Sequence, residues 1–132
     1  MTGSEAVTAR RDAFLNVFNS QDIEAMADFV MEDIHAMPPN QAAVLGRQGH
    51  RIWWAEMFEA GLALLQVDPQ ELVVTGDQAF DRFNWTMDVT PPGGETMHDA
   101  GKCVWMWRRD SDGVWRVSHS IWNSDNPVSG PW

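Results

Sequence analysis

The sequence predicts an α+β domain: a cone-shaped, curved antiparallel sheet of four long strands plus a short one, packed with three helices from the N-terminal half. Two observations predict it. Before Gly61 the apolar residues recur at helical spacing, and after it they fall into β-rich runs separated by turn sequences. Helices first and a long meander afterwards place the helices on one face of the sheet. A strongly bent sheet closed on its concave side by helices leaves a cone, and a cone lined by aromatics is a pocket.

The elements follow in order. Thr2 and Glu5 are spaced as a capping box, and Val7, Phe14, Leu15 and Phe18 continue at helical spacing, so the first helix runs from about Ser4 to Phe18. Asn19-Ser20-Gln21-Asp22 breaks it and supplies a new N-cap. Ile23, Met26, Ala27 and Val30 then mark a short second helix that ends at Glu32-Asp33. Ile34 to Met37 reads as a short strand stopped by Pro38-Pro39, because proline removes a ladder donor and constrains the residue before it. A loop from Asn40 to Gly46 leads to a third helix over Gln48 to Ala60, with His50, Trp53, Trp54, Met57 and Phe58 on its buried face and Gly61 closing it. The long strands are Leu62 to Thr75, Ala79 to Thr90, Glu95 to Arg109 and Val114 to Ser124, separated by Gly76-Asp77, Pro91-Pro92-Gly93-Gly94 and Asp110 to Gly113. Asp68-Pro69 marks a bulge or kink in the first of these.

The chain is organised around the hairpin from Asp99 to Asn123. In its second strand Trp115, Val117, His119 and Ile121 alternate with Arg116, Ser118 and Ser120, which predicts one core side and one wet side. Its first strand is apolar on both sides, with Val104 and Met106 opposite Cys103, Trp105 and Trp107. That predicts a helical cover on one face and a second copy of the chain on the other, a homodimer burying Trp105 and Trp107. In the strand before the hairpin, Phe83, Trp85, Met87 and Val89 share an apolar face.

With 132 residues the chain is long enough for one domain, residues 1–132, with a single core. The formal charge of −10 argues against nucleic acid and anionic membranes as partners. No apolar run reaches the roughly 20 residues of a membrane span, and Met1 to Glu5 lacks the regions of a signal peptide, so a cytoplasmic location is expected. The single cysteine, Cys103, sits mid-strand among tryptophans as an inert, buried thiol. Eight tryptophans and six phenylalanines without a tyrosine point to a wide aromatic interior, either plain core or a pocket for an apolar ligand.

Several of these landmarks carry a family resemblance. Met37-Pro38-Pro39-Asn40, Gly46-Arg47 leading a helix, Gly76 to Phe80, Gly101-Lys102, Trp107-Arg108-Arg109, Asp112 to Val117 and Ile121 to Asp125, in this order, resemble the SnoaL-like branch of the nuclear transport factor 2-like superfamily. The resemblance runs from about Glu5 to Pro127. It implies a cone-shaped α+β barrel with an open pocket, and commonly a homodimer through the outer face of the sheet. Function does not follow from this fold, which hosts ketosteroid isomerase, cyclases, dehydratases, epoxide hydrolases and binding modules. Aligned with ketosteroid isomerase, the general-base position falls near Met37-Pro38 and the oxyanion-hole tyrosine near Phe14. Neither can take a proton or stabilise an enolate, which disfavours steroid isomerisation.

His119 is the leading candidate for chemistry, since a histidine on an apolar strand face can act as acid or base near neutral pH, although the same position suits a core histidine with a hydrogen-bond partner. Asn123 and Lys102 are candidates to polarise a carbonyl. His98 shares a strand face with Lys102, and His35 and Met37 share a side of the short strand whose end, in the superfamily, borders the pocket. Trp53, Trp54, Phe58, Phe83 and Trp85 are candidate pocket walls. The histidines at 35, 50, 98 and 119 show no metal-ligand spacing, no phosphate cradle is present, and no cofactor is implied. Two readings stand side by side. One is a cofactor-independent enzyme (isomerase, cyclase, dehydratase or hydrolase type) working by proton transfer on an apolar cyclic or polyketide-like substrate. The other is a non-catalytic ligand-binding or dimerisation module.

Overall fold

The computed structural model describes residues 1–127 and 131–132, in the order α1 (Gly3–Asn19), α2 (Ile23–Ala27), β1 (Val30–Met37), β2 (Val44–Leu45), α3 (Gly46–Glu59), β3 (Leu62–Thr75), β4 (Gln78–Val89), β5 (Met97–Arg109) and β6 (Trp115–Ser124). The six strands form one curved, unclosed sheet in the order β2-β1-β6-β5-β4-β3. β3 to β6 are the expected antiparallel meander, and β1 joins its end in parallel with β6. The helices lie on the concave face, α1 against β3 and α3 against β1.

Local chemistry accounts for the element ends. Thr2 Oγ1 accepts from the Glu5 N–H at 3.1 Å while Glu5 Oε1 accepts from the Thr2 N–H at 3.2 Å, closing the capping box at the start of α1. Asp22 Oδ1 caps α2 by accepting from the Ala25 N–H at 3.0 Å. The second helix is shorter than its apolar spacing suggests, because Val30 is already in β1, buried and paired with Val117. After α3, Gly61 takes a φ of +103°, and a side chain there would run into the Thr90 carbonyl, so glycine is required. The β3–β4 register slips just after Pro69, at the expected kink, and again near Leu64, whose φ is +57°. Asn19 at the end of α1 spans this second irregularity, donating to the Leu65 carbonyl at 3.0 Å and accepting from its N–H at 2.8 Å.

A bulge in β6 decides which residues enter the cone. Met106 pairs with His119 but Trp107 pairs with Val117, so Ser118 is an extra residue opposite β5, and its hydroxyl donates to the Met106 carbonyl at 3.1 Å. A one-residue insertion sends every later side chain to the opposite face. Trp115 and Val117 therefore face the core, and so do Ser120 and Trp122, whereas His119, Ile121 and Asn123 are turned out to solvent. This corrects the expectation that His119 and Ile121 sit on the apolar side. Arg116 faces away from the core but is buried beneath acidic groups, with Asp28 at 2.9 Å, Asp110 at 3.1 Å and Asp112 at 2.9 Å.

The two-sided β5 also resolves differently from expectation. Trp105 and Trp107 are 8% and 1% exposed and face the helices, so neither is available to a partner. Trp105 packs edge-on against Phe14 of α1 and Phe83 of β4, with centroids 5.1 and 4.9 Å apart. Trp107 donates its indole N–H to Asp81 Oδ2 at 3.1 Å. Asp81 occupies the inward series of β4 with Phe83, Trp85, Met87 and Val89, and Arg11 of α1 meets it at 2.6 Å. That buried pair ties α1 to the sheet.

Candidate binding site in the cone

Between the helices and the concave face lies a cavity of ≈ 50 Å³. α1 contributes Phe14 and Phe18, and α3 contributes His50 and Trp54. From the sheet come Phe83, Trp85 and Met87 of β4, Cys103 and Trp105 of β5, and Val117, Ser120 and Trp122 of β6. Val30, Ile34, Ala36 and Leu65 complete the wall. A single water needs about 10–15 Å³ measured this way, so the space holds a few waters or a small group, well short of the roughly 300 Å³ of an ordinary ligand pocket. Trp54, Trp85, Trp105 and Trp122 are part of this wall.

Its polar groups are few and uncharged. His50 is 6% exposed, and its Nε2 accepts from Trp54 Nε1 at 3.0 Å. An indole N–H only donates, so the imidazole proton resides on Nδ1. Burial, helped by the neighbouring Arg51 charge, lowers the His50 pKa to about 4. Burial raises the Cys103 thiol well above its ordinary value, against a weak opposing contact with Ser120 Oγ at 4.0 Å. Trp85 Nε1 is buried with no hydrogen-bond partner among the described residues. Such a donor costs free energy unless something accepts from it.

The structure divides the residues singled out from the sequence. Trp54, Phe83 and Trp85 line the cavity. Trp53 and Phe58 stand behind the wall, Trp53 edge-on to Trp54 at 4.8 Å and Phe58 edge-on to Phe18 at 5.1 Å. Met37 is half-buried at the end of β1. The other candidates lie outside. His119 and His35 are exposed neighbours stacked at 5.1 Å and 8° on the convex face, with His119 Nδ1 3.0 Å from Ser118 Oγ. Asn123 is exposed, Lys102 Nζ pairs with Asp125 at 2.6 Å, and His98 pairs with Asp88 at 2.6 Å. Sequence reasoning missed His50 as a cavity group because its helical spacing with Trp53, Trp54 and Met57 reads simply as a core face. It also left Asp99 without a role. Asp99 is 3% exposed and accepts from Ser124 Oγ at 2.6 Å, Asn126 Nδ2 at 3.0 Å and Trp132 Nε1 at 3.1 Å. Among the described residues no group of three or more His, Cys, Asp or Glu side chains forms a metal site, and no helix is long and apolar enough to cross a membrane.

The sequence pattern of the SnoaL-like domain matches residues 12–117. No curated protein matches at a significant level. Among solved structures, a ketosteroid isomerase-like protein from Erwinia carotovora atroseptica superposes with a TM-score of 0.84 at 22% identity, covering 93% of this chain and 96% of that one. A conserved protein from Planctomyces limnophilus gives 0.81 at 17% identity, covering 92% and 96%. A nuclear transport factor 2-like superfamily protein from Salmonella enterica gives 0.79 at 16% identity, covering 95% and 92%. At these identities the likeness is one of fold.

Proposed function

The chain belongs to the SnoaL-like domain family, and from that premise we propose that it is a small-molecule-binding protein whose cone takes up a compact apolar ligand. The observation that carries this reading is the cavity itself: an aromatic wall enclosing space between helices and sheet, with an indole N–H on Trp85 that has no acceptor among the described residues. Trp54, Phe83 and Trp85 are the proposed ligand contacts. A ligand bearing one carbonyl or ether oxygen would satisfy the Trp85 donor, while the rest of its surface meets rings and methyl groups. A polyketide-sized molecule exceeds the present space, so uptake of anything larger than a few atoms requires the tryptophans to shift.

Binding stands ahead of proton-transfer catalysis for a physical reason. General acid–base work needs a group that changes charge near the operating pH. Among the described residues the titratable groups on the cavity wall are His50 and Cys103; both are held neutral, and the accepting nitrogen of His50 is already engaged by Trp54. His119, Lys102 and Asn123 could act only on a molecule at the convex face.

A titration of the purified protein with small aromatic ketones, read by quenching of tryptophan fluorescence, tests the proposal. We expect saturable 1:1 binding that weakens at least tenfold in Ser120→Leu, which fills the cavity. Equal affinity in the two proteins would place the ligand elsewhere and overturn the reading.

We also propose a homodimer through the convex face, now centred on Val104, Met106 and the 49% exposed Ile121 rather than on Trp105 and Trp107. Its rim carries both signs, with Arg108–Asp33 toward one end and Lys102–Asp125 toward the other, which suits a self-complementary two-fold contact.

A further inference from the structure

Trp132 reports on the chemistry of the site it fills. Its indole is 5% exposed and lies in a three-sided box of tryptophans: parallel to Trp53 at 6.4 Å and 11°, and edge-on to Trp85 at 5.9 Å and to Trp122 at 6.0 Å. Trp85 and Trp122 are also walls of the cavity, so the box and the cavity share a partition. Among the described residues the fourth side is Asp99, and its two oxygens have separate tasks. Oδ1 is held by the Ala100 N–H at 2.9 Å, Ser124 Oγ at 2.6 Å and Asn126 Nδ2 at 3.0 Å. Those bonds orient the carboxylate. Oδ2 receives the Trp132 indole N–H at 3.1 Å.

We propose that this box is a recognition subsite for flat aromatic molecules bearing one N–H or O–H donor at the ring edge, of the indole or phenol type, and that Trp132 is its displaceable resident. The inference rests on the ligand-binding reading of the cone and adds to it the class of ligand. A buried carboxylate oxygen that loses its donor is left unsatisfied, so whatever replaces Trp132 must itself donate. Aromatic molecules of the same shape without a donor fit the box but leave Oδ2 unpaired, which is the basis of selection. Gly101 makes room for the arrangement. A side chain there would strike the Trp85 ring and the Asn123 carbonyl, and its absence lets the Trp85 indole lie across β5 beside the box. Because Trp132 is tethered, it competes at high effective concentration, and free ligand binds the unsubstituted protein more weakly than a protein lacking that ring.

The test uses Trp132→Gly and two probes of one shape, indole and benzofuran, which differ in the ring N–H. Calorimetric titration should give 1:1 binding of indole to Trp132→Gly, at least tenfold tighter than benzofuran and at least tenfold tighter than indole to the unsubstituted protein. The preference over benzofuran should vanish in Trp132→Gly/Asp99→Leu. If that double variant does not fold, the indole-to-benzofuran ratio in Trp132→Gly decides alone. Equal binding of the two probes, or no binding of indole to the unsubstituted protein up to its solubility limit, would overturn the inference while leaving the cone a ligand site. Binding of neither to folded Trp132→Gly would overturn the inference, and if the ketone titration is also negative the binding reading falls with it.

Discussion

Arg11→Met tests the energetics that hold α1 on the sheet. Arg11 and Asp81 are 4% and 0% exposed, their charged atoms are 2.6 Å apart, and the second carboxylate oxygen of Asp81 accepts from Trp107. Removing one member of a buried pair leaves the other charge without compensation, at a cost of about 3–5 kcal/mol. That is a large share of the roughly 5–15 kcal/mol that stabilises a domain. Replacing both members with apolar side chains, Arg11→Met/Asp81→Leu, should cost less than the single change, because desolvation of two ions is relieved while only the Trp107 N–H, worth about 1–3 kcal/mol if unsatisfied, loses its acceptor. The pH dependence has a definite sign. Burial raises the Asp81 pKa, outweighing the pull of Arg11 and the Trp107 hydrogen bond. A carboxyl whose pKa is higher folded than unfolded contributes stability that is complete below the unfolded value and is lost as the pH rises through the folded one. Without Arg11 that rise is larger, so the single variant should recover stability relative to the parent as the pH is lowered from 8 toward 5. Urea denaturation at several pH values, with the double variant as the fourth corner of the cycle, measures all of this. A single-variant cost under about 1 kcal/mol with no pH dependence would refute the buried, uncompensated charge on which the reasoning depends.

Other outcomes follow from the same contacts. His50 has a folded pKa of about 4 against an ordinary 6.5, a gap worth roughly 3 kcal/mol of stability that is present above pH 6.5 and lost as the pH falls toward 4; His50→Phe should flatten this acid limb in a pH series of thermal melts. Cys103, 6% exposed with its thiol pKa raised by burial, should resist a thiol reagent in the native state and react stoichiometrically in urea. His119→Gln, at an exposed position on the convex face, should change stability by no more than about 0.5 kcal/mol, and a loss several times larger would contradict the outward orientation that the bulge imposes. Sedimentation should find a dimer that Ile121→Lys converts to a monomer; a monomeric parent at micromolar concentration would remove the proposed interface.

What was legible in the sequence was periodicity, and what was hidden was register. The capping box, the Gly61 stop, the kink after Pro69 and the inward face of β4 all follow from local rules that the tertiary structure leaves intact. Strict alternation puts His119 on the wrong face, because at Ser118 β6 holds one residue more than β5 can pair. A signal was present: Trp115 and Trp122 fall on opposite faces of an unbroken strand, and burying both indoles requires an odd insertion between them. On β5 the choice of face went to Cys103, Trp105 and Trp107 over Val104 and Met106. Two indoles bury more apolar surface than a valine and a methionine, and Asp81 offers the Trp107 N–H an acceptor inside the core.

The polar groups of the cone are less legible in the sequence than its walls. His50, Asp81 and Asp99 sit in otherwise apolar series, and each has an indole N–H among its partners: Trp54 to His50, Trp107 beside Arg11 to Asp81, and Trp132 beside Ser124 and Asn126 to Asp99. Tryptophan thus serves here both as bulk and as donor, a role a phenylalanine could not fill. By that logic Trp85 is the odd member of the set, since its N–H alone among these four indoles has no acceptor among the described residues. Trp85→Phe should therefore cost only its lost buried area, whereas Trp54→Phe and Trp107→Phe also strand an acceptor and should each cost about 1–3 kcal/mol more. If Trp85→Phe proves as costly as the other two, its N–H is satisfied within the folded protein, and the case for a ligand acceptor in the cone loses its chief polar support.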